Sequence, residues 1–140
     1  MTEKLFHVGI KALLQRPDGT VLVMKTGPFE GDQAHWDLAG GRISEGEREL
    51  DTLRREIEEE TGLTEFGKPE YFASCISNIH IPIGDTKVGL VLVAYLVLVP
   101  QDTEIRVSDE HTDIAWVDMA EAATRLSYKY PPEFIALLSR

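Results

Sequence analysis

Residues 40–63 read GGRISEGERELDTLRREIEEETGL, and four glutamates crowd into REIEEE (residues 55–60) just ahead of Thr61-Gly62. Like charges at helical neighbour positions repel, so a sequence shaped by stability alone would disperse them or pair each with a lysine. Either the cluster is a solvated face, or a cation belongs on it. Ser44-Glu45-Gly46-Glu47 has the form of a capping box, and Gly62 stands where a helix-ending glycine belongs, so the segment between is read as a helix. With Glu56 as zero, Glu60 falls at about +40° and Glu59 at about −60°, while Leu53, Ile57 and Leu50 lie between about +60° and +120°. Three carboxylates then share one face beside the apolar stripe, and Glu58, at about 200°, is assigned to solvent. Two unit charges ~4 Å apart near a protein surface repel by roughly 4 kcal/mol, a repulsion that a divalent ion offsets. Hard carboxylate oxygens suit magnesium, calcium or manganese better than zinc.

The bulk properties narrow what such a site can serve. The chain has 140 residues, the size of one ordinary domain, and 24 acidic against 14 basic residues give a formal net charge of −10. That balance argues against gripping polymeric nucleic acid through its phosphates, and a small anionic substrate would need local cations or metal. The single cysteine, Cys75, excludes an internal disulfide, and in the apolar run YFASCIS it reads as a buried structural thiol. MTEKLFHVGI lacks the features of a secretory signal, so a cytoplasmic location is expected. The most apolar run, Val88 to Val99, ends at Pro100 and is shorter than the ~20 residues that span a bilayer as a helix. Its valines predict a long strand buried on both faces, and no membrane partner.

Alternation and turn chemistry place the remaining elements. Leu5 to Gln15 reads as a strand, Arg16 to Gly19 (RPDG) as a tight turn, and Thr20 to Lys25 as the hairpin partner. A polar loop, TGPFEGDQAH, precedes a short apolar piece at Trp36 to Ala39. After the glutamate-rich helix come a strand around Tyr71 to Ile81, a turn at PIGD, the valine-rich strand, a charged loop from Gln101 to Thr112 and a strand at Asp113 to Val117. Helices near Met119 to Leu126 and at PPEFIALLS close the chain, the second with proline in its first turn. No repeat or linker divides this order, which predicts one α+β domain over residues 1–140, a mixed, largely antiparallel sheet packed against helices.

The loop ahead of the helix makes the spacing recognisable. Gly40 and Gly41 permit a side-chain-free turn that can aim a carbonyl at a metal or admit a phosphate, or simply link a strand to the helix. Gly41 is followed after five residues by Glu47, after seven more by Arg55-Glu56-Ile57, then by Glu59-Glu60 and Gly62-Leu63. This pattern resembles the signature of the Nudix hydrolases at every defined position, and Trp36-Asp37-Leu38-Ala39-Gly40-Gly41 is similar to the segment that leads into it, with Ala39 where many members have proline. The resemblance extends over about the whole chain and implies an α/β/α sandwich. It also implies Mg2+- or Mn2+-dependent hydrolysis of a nucleoside diphosphate linked to another moiety.

Position by position, the resemblance makes Glu56, Glu59 and Glu60 metal-binding carboxylates, with Glu56 or a neighbour helping to deprotonate the attacking water. It makes the Gly40 carbonyl a further metal contact and Arg55 with Glu47 a supporting ion pair. A downstream acid completes the metal set in the family. Here SDEHTDIAWVD offers Asp109, Glu110 and Asp113; Glu110 is chosen, Glu104 is the outside candidate, and His111 reads as a structural hydrogen-bonding residue or a proton shuttle. Subfamily markers for ADP-ribose or dinucleoside polyphosphates do not fall in the expected window after the signature, so the nucleotide stays open.

Phe29, His35, Phe72 and Tyr128 are nominated to stack on a base, Asn78 to read a base edge, and Lys25, Arg42 and Lys87 to approach phosphates, with Arg42 first among these. The expected partner is a small nucleotide-type molecule, and a homodimer is possible by likeness to relatives. A non-catalytic nucleotide sensor on the same scaffold is the alternative. The retention of every signature carboxylate favours turnover.

Overall fold

The computed structural model describes residues 2–29, 32–107 and 111–139. Alternating apolar residues make β1 (Phe6–Gln15), which presents Leu13 to one core and Ile10, Ala12 and Leu14 to another. The RPDG turn closes as expected: Gly19, in the left-handed region, donates its N–H to the Arg16 carbonyl at 2.9 Å. β2 (Val21–Thr26) follows and pairs antiparallel with β1 as expected of a hairpin, but the pairing extends no further than Gln15↔Val21 before the strands part.

The short strands that follow explain why they part. In β3 (His35–Asp37), Asp37 pairs with Met24 of β2; in β4 (Ala39–Arg42), Ala39 pairs with Ala12 of β1. The chain crosses from one strand to the other at Leu38 and holds them apart.

α1 (Glu49–Thr61) starts later than the sequence suggests. The Ser44 N–H does donate to Glu47, at 2.9 Å, but these residues form a separate turn. Arg48 caps the helix, and its N–H donates to Asp51 at 3.1 Å. Gly62 ends it in the left-handed conformation, as the spacing predicts, donating to the Glu58 carbonyl. Leu53 and Ile57 are fully buried, each stabilising the fold by about 1.5–3 kcal/mol, whereas Leu50, in the first turn, stays half exposed.

The strand expected over residues 71–81 divides into β5 (Glu70–Ile76) and β6 (Ile81–Ile83). The Ser77 N–H still reaches Leu90, but the Asn78 N–H donates instead to the Lys129 carbonyl at 2.9 Å, which draws the chain off the sheet. β7 (Thr86–Leu98), the valine-rich run, pairs in parallel with β1 from Phe6↔Gly89 to Gln15↔Leu98 and antiparallel with β5. β8 (His111–Val117) pairs with β2, and α2 (Met119–Leu126) and α3 (Pro132–Leu138) fall where the sequence places them.

The mixed sheet runs β3-β2-β1-β7-β5, with β4 on β1, β6 on β7 and β8 on β2. One core joins β1, β2 and β7 to α1 through Ile10, Leu22, Leu53 and Ile57; the other joins the opposite face to α2 and α3 through Leu92, Leu126, Tyr130 and Phe134. Cys75 belongs to this second core, and burial pushes its thiol up to about 11, as suits a structural cysteine.

Candidate active site

α1 presents its glutamates by depth. Glu60 is 6% exposed, Glu56 is partly buried, and the Glu59 side chain is 58% exposed, so the shared face runs from the protein interior to solvent. Glu60 joins loop, helix and sheet: Oε1 accepts the Gly40 N–H at 2.5 Å, and Oε2 lies 2.5 Å from His111 Nε2 on β8. Burial alone would lower the His111 pKa, but the hydrogen bond and charge of Glu60 raise it. The structural hydrogen bond expected of His111 is therefore present.

Arg55 ties the helix to the preceding turn. Its Nε and Nη2 donate to Glu47 at 2.6 and 2.9 Å, a forked pair, while Nη1 reaches Glu56 at 2.8 Å and Glu59 at 3.3 Å. The bond from Arg55 holds Glu47 down at about 2. Glu56 moves the other way: burial and the charge of Glu60 raise its pKa, and Arg55 offsets this only in part.

The two glycines are required for different reasons. Gly40 has φ +140°, and a Cβ there would overlap the Ile10 carbonyl; a Cβ on Gly41 would overlap the Glu56 carboxyl group. Gly41 thus leaves the space that Glu56 occupies. In kind, three carboxylates and the Gly40 carbonyl suit a hard divalent cation, and burial together with the charge of Glu60 raises the Glu56 pKa despite Arg55. Among the described residues, no three carboxylate or histidine groups converge on one point, and Arg55 and His111 engage the glutamates. Asp109 and Glu110 lie outside the described residues. Asp113 is on β8, where its carboxylate accepts the Ile114 N–H.

A cavity of about 320 Å³ opens beside Glu60, walled by Gly40, Gly41, Arg42, His111, Phe29, His35 and a buried ionic group. That group was not legible from the sequence. Asp37 Oδ2 accepts from Lys11 Nζ at 3.0 Å and from Lys129 Nζ at 2.6 Å; Oδ1 accepts from the Tyr130 hydroxyl at 2.6 Å and from the Leu38 N–H at 2.7 Å. Burial would raise the Asp37 carboxyl, but the Lys11 and Lys129 ammoniums outweigh it and hold it well below the usual carboxylate range. Burial lowers Lys129, whereas Asp37 and Glu60 outweigh burial at Lys11 and raise it.

Of the base-stacking nominees, Phe29 lines the cavity and His35 packs against Tyr128 with ring centroids 5.2 Å apart, whereas Phe72 packs on Phe134 in the core. Asn78 does not line the cavity. Its amide donates to the carbonyls of Ser127, Tyr128 and Tyr130, which gives it the structural job of holding the segment that carries Lys129.

The family model of the NUDIX domain matches residues 5–138. The chain belongs to the Nudix family. Members of this family are pyrophosphohydrolases that generally need divalent metal ions. The nucleoside triphosphatase NudI of Escherichia coli is 34% identical, the alignment covering 71% of this chain and 74% of NudI. An octanoyltransferase of Myxococcus xanthus is 29% identical over 81% of this chain, which spans only 30% of that protein's length. The dihydroneopterin triphosphate pyrophosphohydrolase of E. coli superposes with a TM-score of 0.73 at 16% identity, covering 97% of this chain and 96% of the other, a likeness of Nudix fold. Among the described residues, no helix is long and apolar enough to cross a membrane.

Proposed function

We propose that residues 1–140 form a single Nudix domain that works in the cytoplasm and hydrolyses a phosphoanhydride bond in a nucleoside diphosphate linked to another moiety, with Mg2+ or Mn2+ as cofactor. The observation that carries the proposal is the contact of loop and helix: Glu60, held by the Gly40 N–H, lines the cavity, and Glu56, seated against Gly41, lines the neighbouring hollow with Arg42 and Arg55. Glu56, Glu59, Glu60 and the Gly40 carbonyl hold the ion, with Glu110 as a further ligand. A divalent ion there supplies positive charge for the phosphate oxygens and acidifies water.

The chain's own residues do the rest. Arg55, fixed by Glu47, orients Glu56 and Glu59, and Glu56, its proton affinity raised by burial, takes the proton of the attacking water. Phosphoryl transfer asks mainly for positioning and charge stabilisation, so no covalent intermediate is needed. Arg42 approaches the phosphates and Phe29 the base, both from the cavity wall. The likeness to NudI favours a nucleoside triphosphate as the substrate.

A phosphate-release screen with Mg2+ against nucleoside triphosphates, oxidised purine triphosphates, ADP-ribose, sugar nucleotides and dinucleoside polyphosphates tests this. Turnover is expected on at least one class, and Glu59→Gln or Glu60→Gln should lower kcat at least about 100-fold with the fold retained. Unchanged turnover in both variants would remove the proposed site. No turnover by the unmodified protein on any substrate would point to a sensor instead.

A further inference from the structure

The deep wall of the cavity has an uneven supply of hydrogen-bonding groups. Asp37 accepts four bonds, from Lys11, Lys129, Tyr130 and the Leu38 N–H, which fills the sites a carboxylate offers. It has nothing left to accept from a ligand. Lys129 carries three N–H donors and, among the described residues, gives one, to Asp37. Its side chain is nine-tenths buried and lines the cavity, which leaves donors for a ligand held there.

His35 supplies the opposite group beside it. Its Nδ1 lies 2.9 Å from the Gln33 carbonyl and 3.5 Å from Asp32 Oδ2, both of them acceptors, so Nδ1 carries a proton and, in the neutral ring, Nε2 presents the lone pair. That Nε2 is buried without a partner among the described residues, in a side chain 3% exposed on the cavity wall. His35 and Asp37 are two apart on β3 and share a face of the strand, and Lys129 is bonded to Asp37. Donor and acceptor therefore belong to one wall of the same cavity.

We propose that this wall reads the lactam edge of a nucleobase, the Lys129 ammonium donating to a ring carbonyl and His35 Nε2 accepting from the adjacent ring N–H. The inference rests on the nucleotide-hydrolase reading above and names its substrate class: keto bases of the guanine, hypoxanthine, uracil or thymine type. Adenine and cytosine present the reverse, an amino donor toward Lys129 and a ring lone pair toward His35. Both groups would then be left unpaired in a buried site, which is how strong discrimination arises.

Matched pairs of triphosphates isolate the edge from ring size: inosine against adenosine triphosphate, and uridine against cytidine triphosphate. With Mg2+, kcat/KM is expected to favour the keto member of each pair by about tenfold or more. Lys129→Met, which keeps side-chain length and removes the donors, should bring both ratios within about threefold, through a higher KM for the keto members. Equal values in the unmodified protein, a preference for the amino members, or ratios that survive Lys129→Met would overturn the inference. Calorimetric titration of the unmodified protein with the α,β-methylene analogues reads the same preference without turnover. Tighter keto binding with no hydrolysis would sink the hydrolase reading and leave the edge standing; equal binding would sink the edge itself.

Discussion

Besides its own neighbour Leu38, Asp37 gathers groups from two distant parts of the chain, Lys11 on β1 and Lys129 with Tyr130 ahead of α3. Two ammoniums share one carboxylate, so removing that carboxylate leaves buried positive charge without compensation. Asp37→Asn should destabilise the fold by about 3–5 kcal/mol at neutral pH, read from urea unfolding. The carboxyl is held below its ordinary value, so its contribution is complete above the unfolded-state pKa of about 4 and fades as pH falls through the lower folded value. The stability difference between the unmodified protein and Asp37→Asn should therefore narrow steadily in acid. The sequence showed Lys11 only as one polar residue on an apolar strand, and Lys129 as a polar residue between tyrosines. Partners separated by 26 and 92 positions leave no local spacing to read. The glutamates of α1 were legible for the opposite reason, since three and four residues of separation fix which side chains meet on a helix.

The loop between β4 and α1 gives neighbouring glycines separate duties, and substitution should separate them. Gly40→Ala forces a side chain into the left-handed region and against the Ile10 carbonyl, so it should lower stability by at least about 2 kcal/mol in thermal unfolding. In Gly41→Ala the nearest atoms the added methyl meets are those at the far end of the Glu56 side chain, which can swing away. The melting temperature should stay close to that of the unmodified protein while kcat falls roughly 10- to 100-fold. Glycine spacing announced the loop but not this division of labour, which depends on what packs behind each Cα. The helix end at Gly62 was readable from one residue's conformation, whereas its start was not. The Ser44–Glu47 hydrogen bond exists, but the chain turns once more before Arg48 begins the helix.

The two cores on opposite faces of the sheet make the domain depend on its last helices as much as on its signature. Phe134 is buried against Tyr130 and Phe72 on the face away from α1, and Phe134→Ala should destabilise the protein by about 3–5 kcal/mol in urea unfolding. Alternation and apolar runs located β1, β2, β5, β7 and β8, because burial on a sheet writes a period of two into the sequence, whereas β3 and β4 read only as a short apolar piece and β6 as part of a longer strand. They could not name the partners: β1 and β2 look like a hairpin, yet β3 and β4 step between them. The longest pairing in the molecule joins β1, at the start of the chain, to β7, made after α1 and β5. During synthesis the glutamate helix therefore leaves the ribosome before the strand that completes the sheet beneath it exists. Closing such a distant pairing is the slow kind of folding event, so a nascent chain halted before residue 86 would carry the whole Nudix signature and no folded enzyme.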